Sequence, residues 1–343
     1  MQAVVMEGFG SIDRFTIQKV PLPLPKEGEV RIRIKAAGFN PVDWKIREGW
    51  YGGDSHQILG CDCSGIIDSL GPQVEQFVLG DEVYAMSLLR SSHGSYTECV
   101  CVPVELVARK PKNISFDQAA TIPLACMTAY RATYAVSAFK NGDTVFIAGV
   151  GGGVGAFAIQ FIKNAGAKEV YTIAKDEKSA QFLQKNLGFM QDHILLYEGL
   201  SHNQLKEKLL TMNKGRFFNA TLDLVGGERK ELCLELTGYS GHFSTIVPEK
   251  EFSFPLWEET AIPRARNMSI HQVAIAAELG NPDRSYWSIY TRHLNHISQM
   301  LENETLKPPF VHVVGPLNVK TVQQAHTLLQ EGHVKGKLVM VMG

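Results

Sequence analysis

Residues 143–178 read DTVFIAGVGGGVGAFAIQFIKNAGAKEVYTIAKDEK. Residues 144–148 are a short apolar run, rich in β-branched and aromatic side chains and flanked by turn formers, which predicts a buried strand. Gly149, Gly151, Gly152, Gly153 and Gly155 crowd the next positions. Apolar residues then recur at helical spacing, at Val154, Phe157, Ala158, Phe161 and Ile162, before Asn164 and Gly166 stop the helix. Residues 169–173 read as a second strand. Strand, glycine turn, helix and strand in this order make a dinucleotide site. Glycines let the backbone approach a pyrophosphate, and the helix N-terminus offers unpaired N–H groups and a positive dipole end. A literal G-x-G-x-x-G would need glycine at Val150; the spacing met is Gly149, Gly152, Gly155. The bland alternative is a tight turn that binds nothing, and the second strand arriving on schedule argues against it.

The end of that second strand reports which nucleotide is held. An acid about twenty residues beyond the glycines would bind the ribose hydroxyls of NAD. Here Ala174 and Lys175 follow the strand, with Lys178 close behind. A missing carboxylate beside two cations suits a 2′-phosphate, hence NADPH. Asp176 is the competing acid, one small loop shift from the ribose, and a solvated helix start is the plain reading of the lysines.

The chain has 343 residues, enough for two domains with ample core. A net charge of −1 leaves no electrostatic footprint for nucleic acid. No apolar run approaches a membrane span, and MQAVVMEGFG lacks the basic and apolar regions of a secretory signal. Six cysteines in so long a chain suggest reduced thiols and a cytoplasmic setting.

Residues 1–116 read as mostly β. VRIRIKA at 30–36 alternates as a half-buried strand does, and Pro21, Pro23 and Pro25 mark an extended connector before it. Further strands are expected within 60–70, 80–86 and 94–103. Ser115 and Gln118 form a capping box, and a helix begins there, is interrupted at Pro123 and resumes over 124–138. After Lys178 the pattern alternates. Helices are expected at 179–187, 204–212, 229–237 and 286–301, and strands at 193–197, 220–225, 242–247 and 268–274. Repeated β-α units argue for a parallel, doubly wound sheet. A strand at 310–315, a helix at 319–330 and a strand at 337–342 close the chain and are expected to rejoin the N-terminal β domain.

Several stretches together resemble the medium-chain dehydrogenase/reductases, specifically their zinc-independent quinone-oxidoreductase branch. They are NPVDWKIREG (40–49), GCDCSG (60–65), GDEV (80–83), GSYTE (94–98), AYRA (129–132), the glycine loop, DLVGG (223–227) and GHVKGKLV (332–339), in family order along nearly the whole chain. The resemblance implies an α/β protein: a discontinuous GroES-like β-rich catalytic domain at 1–117 and 302–343, a Rossmann domain at 118–301, and an active site in the cleft between them. Zinc-dependent relatives carry a cysteine where this chain has Asn40 and Gly-His-Glu where it has Gly60, Cys61 and Asp62, and their four-cysteine lobe is missing. The expected metal is therefore none. Cys61, Cys63, Cys99 and Cys101, two apart in each pair, leave a four-thiolate site open, against the ordinary reading of cysteine as a small buried hydrophobe.

By the same resemblance Gly152, Gly153 and Val154 meet the pyrophosphate, Ala174 and Lys178 the adenosine phosphate, Tyr197 the adenosine, and Val225 and Gly226 the nicotinamide ribose. Thr128 lies on the helix facing the nicotinamide amide, and Lys335 approaches from the C-terminal segment. Asn40 occupies a position near the nicotinamide. Lys45 is the expected cation beside the cofactor ribose or a substrate carbonyl, and Tyr51 a hydroxyl donor, with Trp44 and Tyr51 flanking a flat substrate. Plainer readings are Asn40 as a turn former, Lys45 as a solvated charge, the aromatics as core, Lys335 as a loop charge, and His326 and His333 as structural. The segments 50–58 and 252–266 are expected to line or cover the pocket.

The reaction implied is metal-free hydride transfer from NADPH to a quinone or α,β-unsaturated carbonyl, with a donor or cation stabilising charge on the oxygen. Two rivals stand beside it: a zinc-dependent alcohol dehydrogenase with Cys61 and Asp62 as reassigned ligands, and a cofactor-binding protein with a structural or regulatory role. Family analogy suggests a homodimer through the edge of the Rossmann sheet.

Overall fold

A computed structural model describes residues 1–87, 94–135, 140–248, 262–332 and 334–342. The last residues of the expected helix, 136–138, most of the pocket segment 252–266 and His333 lie outside the described residues.

The chain forms two compact units, one of residues 1–127 and 276–343, the other of residues 128–275. The first is β-rich. Its larger sheet runs Val311–Pro316, Lys337–Val341, Glu29–Gly38, Asp62–Leu70, Glu82–Met86, Val107–Arg109, with Cys99–Pro103 also paired to Glu29–Gly38. A smaller sheet has Gln2–Glu7 between Phe15–Lys19 and His56–Ile58. Alternation explains the central strand: Val30, Ile32 and Ile34 are buried, while Arg31 and Arg33 point away and share Asp68 at 2.7 and 3.3 Å. Lys337–Val341 pairs antiparallel with Glu29–Gly38, so the C-terminal strand does rejoin the N-terminal sheet.

The units divide near 127 and 275, not at the expected 117 and 301. The largest difference is the helix Ser288–Glu302, which belongs to the first unit. Tyr84 donates its hydroxyl to Leu294 O (2.9 Å), Thr291 donates to Glu105 O (3.0 Å), and Leu294, Ile297 and Leu301 are buried. An amphipathic helix carries no label saying which sheet it covers.

The second unit is a six-stranded parallel sheet in the order Ile194–Leu196, Glu169–Ala174, Thr144–Ala148, Phe218–Asp223, Thr237–Thr245, Ser269–Gln272. Numbered along the chain this is 3-2-1-4-5-6, the doubly wound order in which direction reverses between Thr144–Ala148 and Phe218–Asp223. The strands read as continuous apolar runs because both faces are covered. Phe146, Tyr171, Phe218 and Phe243 pack with Leu205, Leu209, Leu232 and Leu236 from two helices. Among the described residues no helix is long and apolar enough to cross a membrane.

Candidate functional site

In the second unit the strand Thr144–Ala148 runs into the glycine turn and the helix Gly153–Asn164. Gly149 has φ +87°, and a Cβ there would meet Val225 Cγ2 at 2.6 Å; one at Gly155 would lie 2.4 Å from Val150 O. Those two glycines are required by the turn and by close packing. Gly152 is different: it is the N-cap of the helix, supplies no side-chain cap, and a Cβ there would meet only Gly149 O, at an unstrained 3.8 Å. No N-cap side chain bonds the first-turn amides of Gly153 and Val154, and a helix start of this kind suits an anion.

The neighbouring strand ends complete this edge. Tyr197 N donates to Ala174 O at 2.9 Å and Glu198 N to Lys175 O at 3.2 Å, tying the two loops together. Lys175 and Lys178 are exposed. Asp176, the competing acid, caps the helix Glu177–Leu187 by accepting from Ser179 N at 2.7 Å. Val225 is 52% exposed, and its turn is held by buried Asp223, which accepts from Val225 N (3.0 Å), Gly226 N (2.8 Å) and Thr245 Oγ1 (2.7 Å). The holding role of Asp223 was not legible in DLVGG, because only the fold brings Thr245 to it. Arg229, also unmarked in the sequence, lays its guanidinium 4.6 Å from the Tyr197 ring centre. Thr128 is buried on the helix Pro123–Tyr130.

In the first unit the helix Pro41–Arg47 starts with Pro at its first position, and Asp43 reaches back to accept from Asn40 N at 2.8 Å. The Asn40 side chain is 1% exposed. Its Nδ2 donates to Asp62 Oδ2 (2.9 Å), and its Oδ1 accepts from Lys337 Nζ (2.5 Å). Lys337 also donates to Phe39 O (3.0 Å) and stands 3.6 Å from Asp62, whose other oxygen accepts from Leu124 N (2.8 Å). Burial pushes the Asp62 carboxyl up and the Lys337 ammonium down, and each partner's charge opposes the shift of the other. A second group of bonds centres on Asp43, which accepts from Cys61 Sγ (3.2 Å) and Tyr96 OH (3.0 Å). Burial raises Asp43 to about 6, against those hydrogen bonds. Tyr96 OH also meets His326 Nε2 at 3.1 Å, and burial holds His326 down at about 3. His326 is fully buried, its ring against Phe15, Phe39 and Tyr96.

Lys45 lies half-buried on the same helix, its ammonium 5.7 Å from the Trp44 ring and 5.1 Å from the Trp50 ring, which meet edge to face. Burial lowers its pKa. Tyr51 follows, half-buried, in the turn after the helix; Lys335 is half-buried two residues before Lys337. The structure therefore groups Lys45 with two indoles, and Asn40 with Asp62 and Lys337.

Among the described residues no three or more His, Cys, Asp or Glu side chains are grouped so as to hold a metal ion. The Cys61 thiol is buried, donates to Asp43 and is pushed well up by burial and by Asp43 and Asp62. Asp62 has its oxygens committed to Leu124, Asn40 and Lys337. Cys63 lies opposite Ala37 and Cys99 opposite Arg33 on the strand between them, so the two pairs stand roughly 13 Å apart along it and form no four-thiolate site.

Two family models match: the alcohol dehydrogenase GroES-like domain over residues 26–112 and the zinc-binding dehydrogenase domain over residues 192–340. The chain is 36% identical over 351 residues to a 2-methylene-furan-3-one reductase of Solanum lycopersicum, covering 99% of this chain and 79% of that one. Against a synaptic vesicle membrane protein VAT-1 homolog-like of Mus musculus it is 35% identical over 162 residues, which span 47% of this chain and only 38% of the relative. Among solved structures, an NAD-dependent alcohol dehydrogenase is similar at TM-score 0.84 and 29% identity over the full length of both chains. The quinone oxidoreductase of Coxiella burnetii is similar at TM-score 0.78 and 25% identity, covering 99% of each.

Proposed function

Since the chain belongs to the medium-chain dehydrogenase/reductase superfamily, with quinone oxidoreductases and enone reductases among its relatives, we propose that it is an NADPH-dependent reductase of quinones or α,β-unsaturated carbonyls that works without a metal ion. The bound nucleotide supplies the hydride. The observation that carries the reading is Lys45, a cation with lowered pKa set beside two indole rings. Hydride arriving at the conjugated carbon pushes charge onto a carbonyl oxygen. An ammonium whose pKa is depressed both stabilises that oxygen and gives up its proton more readily. Trp44, Trp50 and Tyr51 then flank a flat acceptor. Asn40 fixes the start of the helix that carries Lys45, through Asp62 and Lys337.

On the nucleotide side, Gly152, Gly153 and Val154 hold the pyrophosphate, Ala174, Lys178 and Tyr197 the adenosine end, and Thr128, Val225, Gly226 and Lys335 the nicotinamide end. Capping by Asp176 supports NADPH over NADH, because the acid that directly follows Lys175 already serves the helix start. The relative acting on a furanone supports a conjugated ketone as acceptor. The NAD-dependent relative names the competing cofactor. A cytoplasmic homodimer completes the proposal.

The test is oxidation of NADPH and of NADH, followed by absorbance, against panels of quinones, enones, aldehydes and simple alcohols. NADPH with quinones or enones is expected to turn over, and Lys45→Met to lower kcat about 10²-fold or more while nucleotide affinity changes little. Tight nucleotide binding without turnover on any acceptor would sink the enzyme reading and favour a regulatory role. Wild-type kcat in Lys45→Met would remove Lys45 from the chemistry.

A further inference from the structure

Resting on the NADPH reading above, we propose that Arg229 is a specificity-determining residue, a guanidinium held on Tyr197 to take the 2′-phosphate of the nucleotide. Tyr197 follows the strand Ile194–Leu196, and Arg229 opens the helix after the strand Phe218–Asp223. Two strands separate these in the sheet, so their axes stand roughly 14 Å apart. The Arg229 guanidinium is nonetheless 4.6 Å from the Tyr197 ring centre. The two side chains thus reach toward each other across the carboxyl ends of Glu169–Ala174 and Thr144–Ala148, the edge where a doubly wound sheet receives its nucleotide.

A guanidinium placed over a ring still has N–H groups to offer a ligand. No carboxylate pairs with Arg229, Lys175 or Lys178 among the described residues. The Asp176 carboxylate accepts from Ser179 N through Oδ1. Three cations that follow the carboxyl ends of two strands of this sheet, one of them held against an aromatic ring, match a phosphomonoester dianion. Arginine in a fixed plane binds phosphate through two parallel hydrogen bonds, whereas the two lysines are flexible point charges. NADH offers hydroxyls there and gains nothing from the guanidinium.

The experiment is equilibrium titration of full-length protein with NADPH, NADH, 2′-phospho-ADP-ribose and ADP-ribose, comparing wild type, Arg229→Gln and Arg229→Lys. The wild type is expected to prefer the phosphorylated ligand of each pair. Arg229→Gln should lose about ten- to a hundredfold in affinity for that ligand and less than about twofold for its partner. Arg229→Lys should recover part of the loss. An equal loss on both ligands would mean that Arg229 only packs against Tyr197, and a preserved preference would mean that it does not touch the phosphate; either overturns the proposal alone. A wild type without preference would instead overturn the NADPH reading, and this inference with it. Thermal unfolding of each variant with no ligand separates a folding defect from a lost contact.

Discussion

Two buried residues joined through Tyr96 titrate with opposite signs. Asp43 rises from its ordinary 3.8 to about 6, so the native state binds more protons than the unfolded state in that interval, and stability falls as pH increases through it. His326 drops from 6.5 to about 3, so the unfolded state binds more protons and stability grows as pH increases from about 3 to 6.5. Each contributes a slope of up to about 1.4 kcal/mol per pH unit, and between about pH 4 and 6 the two slopes cancel. Asp43→Asn is therefore expected to gain stability relative to wild type on going from pH 4 to 6, and His326→Gln to lose it, by up to about 3 kcal/mol in each case. Urea unfolding across that range reads this directly; parallel curves for all three proteins would show that neither group is perturbed as described. The sequence marked His326 only as structural. Its pairing with Asp43 through Tyr96 joins positions 230 residues apart, which no local pattern encodes.

Among elements, the glycine turn and its helix were the most legible, because one spacing fixes both backbone and chemistry. The strand Thr144–Ala148, the helix Gly153–Asn164 and the strand Glu169–Ala174 lie within one residue of expectation. The helix Pro41–Arg47 was not read as a helix, since seven residues give too little period to see. The central strand of the smaller sheet, Gln2–Glu7, was missed because its identity depends on partners at 15–19 and 56–58. Within the turn the glycines do separable work. A Cβ at Gly155 would press on Val150 O at 2.4 Å, so Gly155→Ala should cost about 1–3 kcal/mol of stability. At Gly152 the backbone has φ −83° and the nearest atom to a Cβ is 3.8 Å away, so Gly152→Ala should keep wild-type stability within about 0.5 kcal/mol. Its methyl group would stand where the pyrophosphate must approach, and nucleotide affinity should drop about tenfold or more. Calorimetry of both variants, with and without NADPH, tells turn packing from anion binding; unchanged affinity in Gly152→Ala would take the pyrophosphate off this helix.

At the scale of the whole molecule, the first unit is closed by its last strand. Lys337 bonds Asn40, 297 residues earlier, and Lys337–Val341 sits between Val311–Pro316 and Glu29–Gly38. The expectation that the tail rejoins the N-terminal sheet was right because KLVMVM is too apolar to end as an exposed tail. That its first residue would be a buried cation was not foreseen, since lysine at a strand start ordinarily faces water. Burying an ammonium beside Asp62 is tolerable only while both partners remain, for a lone buried charge is far more costly than a pair. Lys337→Met should therefore destabilise the protein by about 3–5 kcal/mol, and adding Asp62→Asn, which removes the stranded charge, should return a large part of it. Denaturant unfolding of the two single variants and the double variant closes the cycle. Additive losses would mean that the pair is not coupled, and that apolar burial of the final strand, not the ion pair, holds the C-terminus in the sheet.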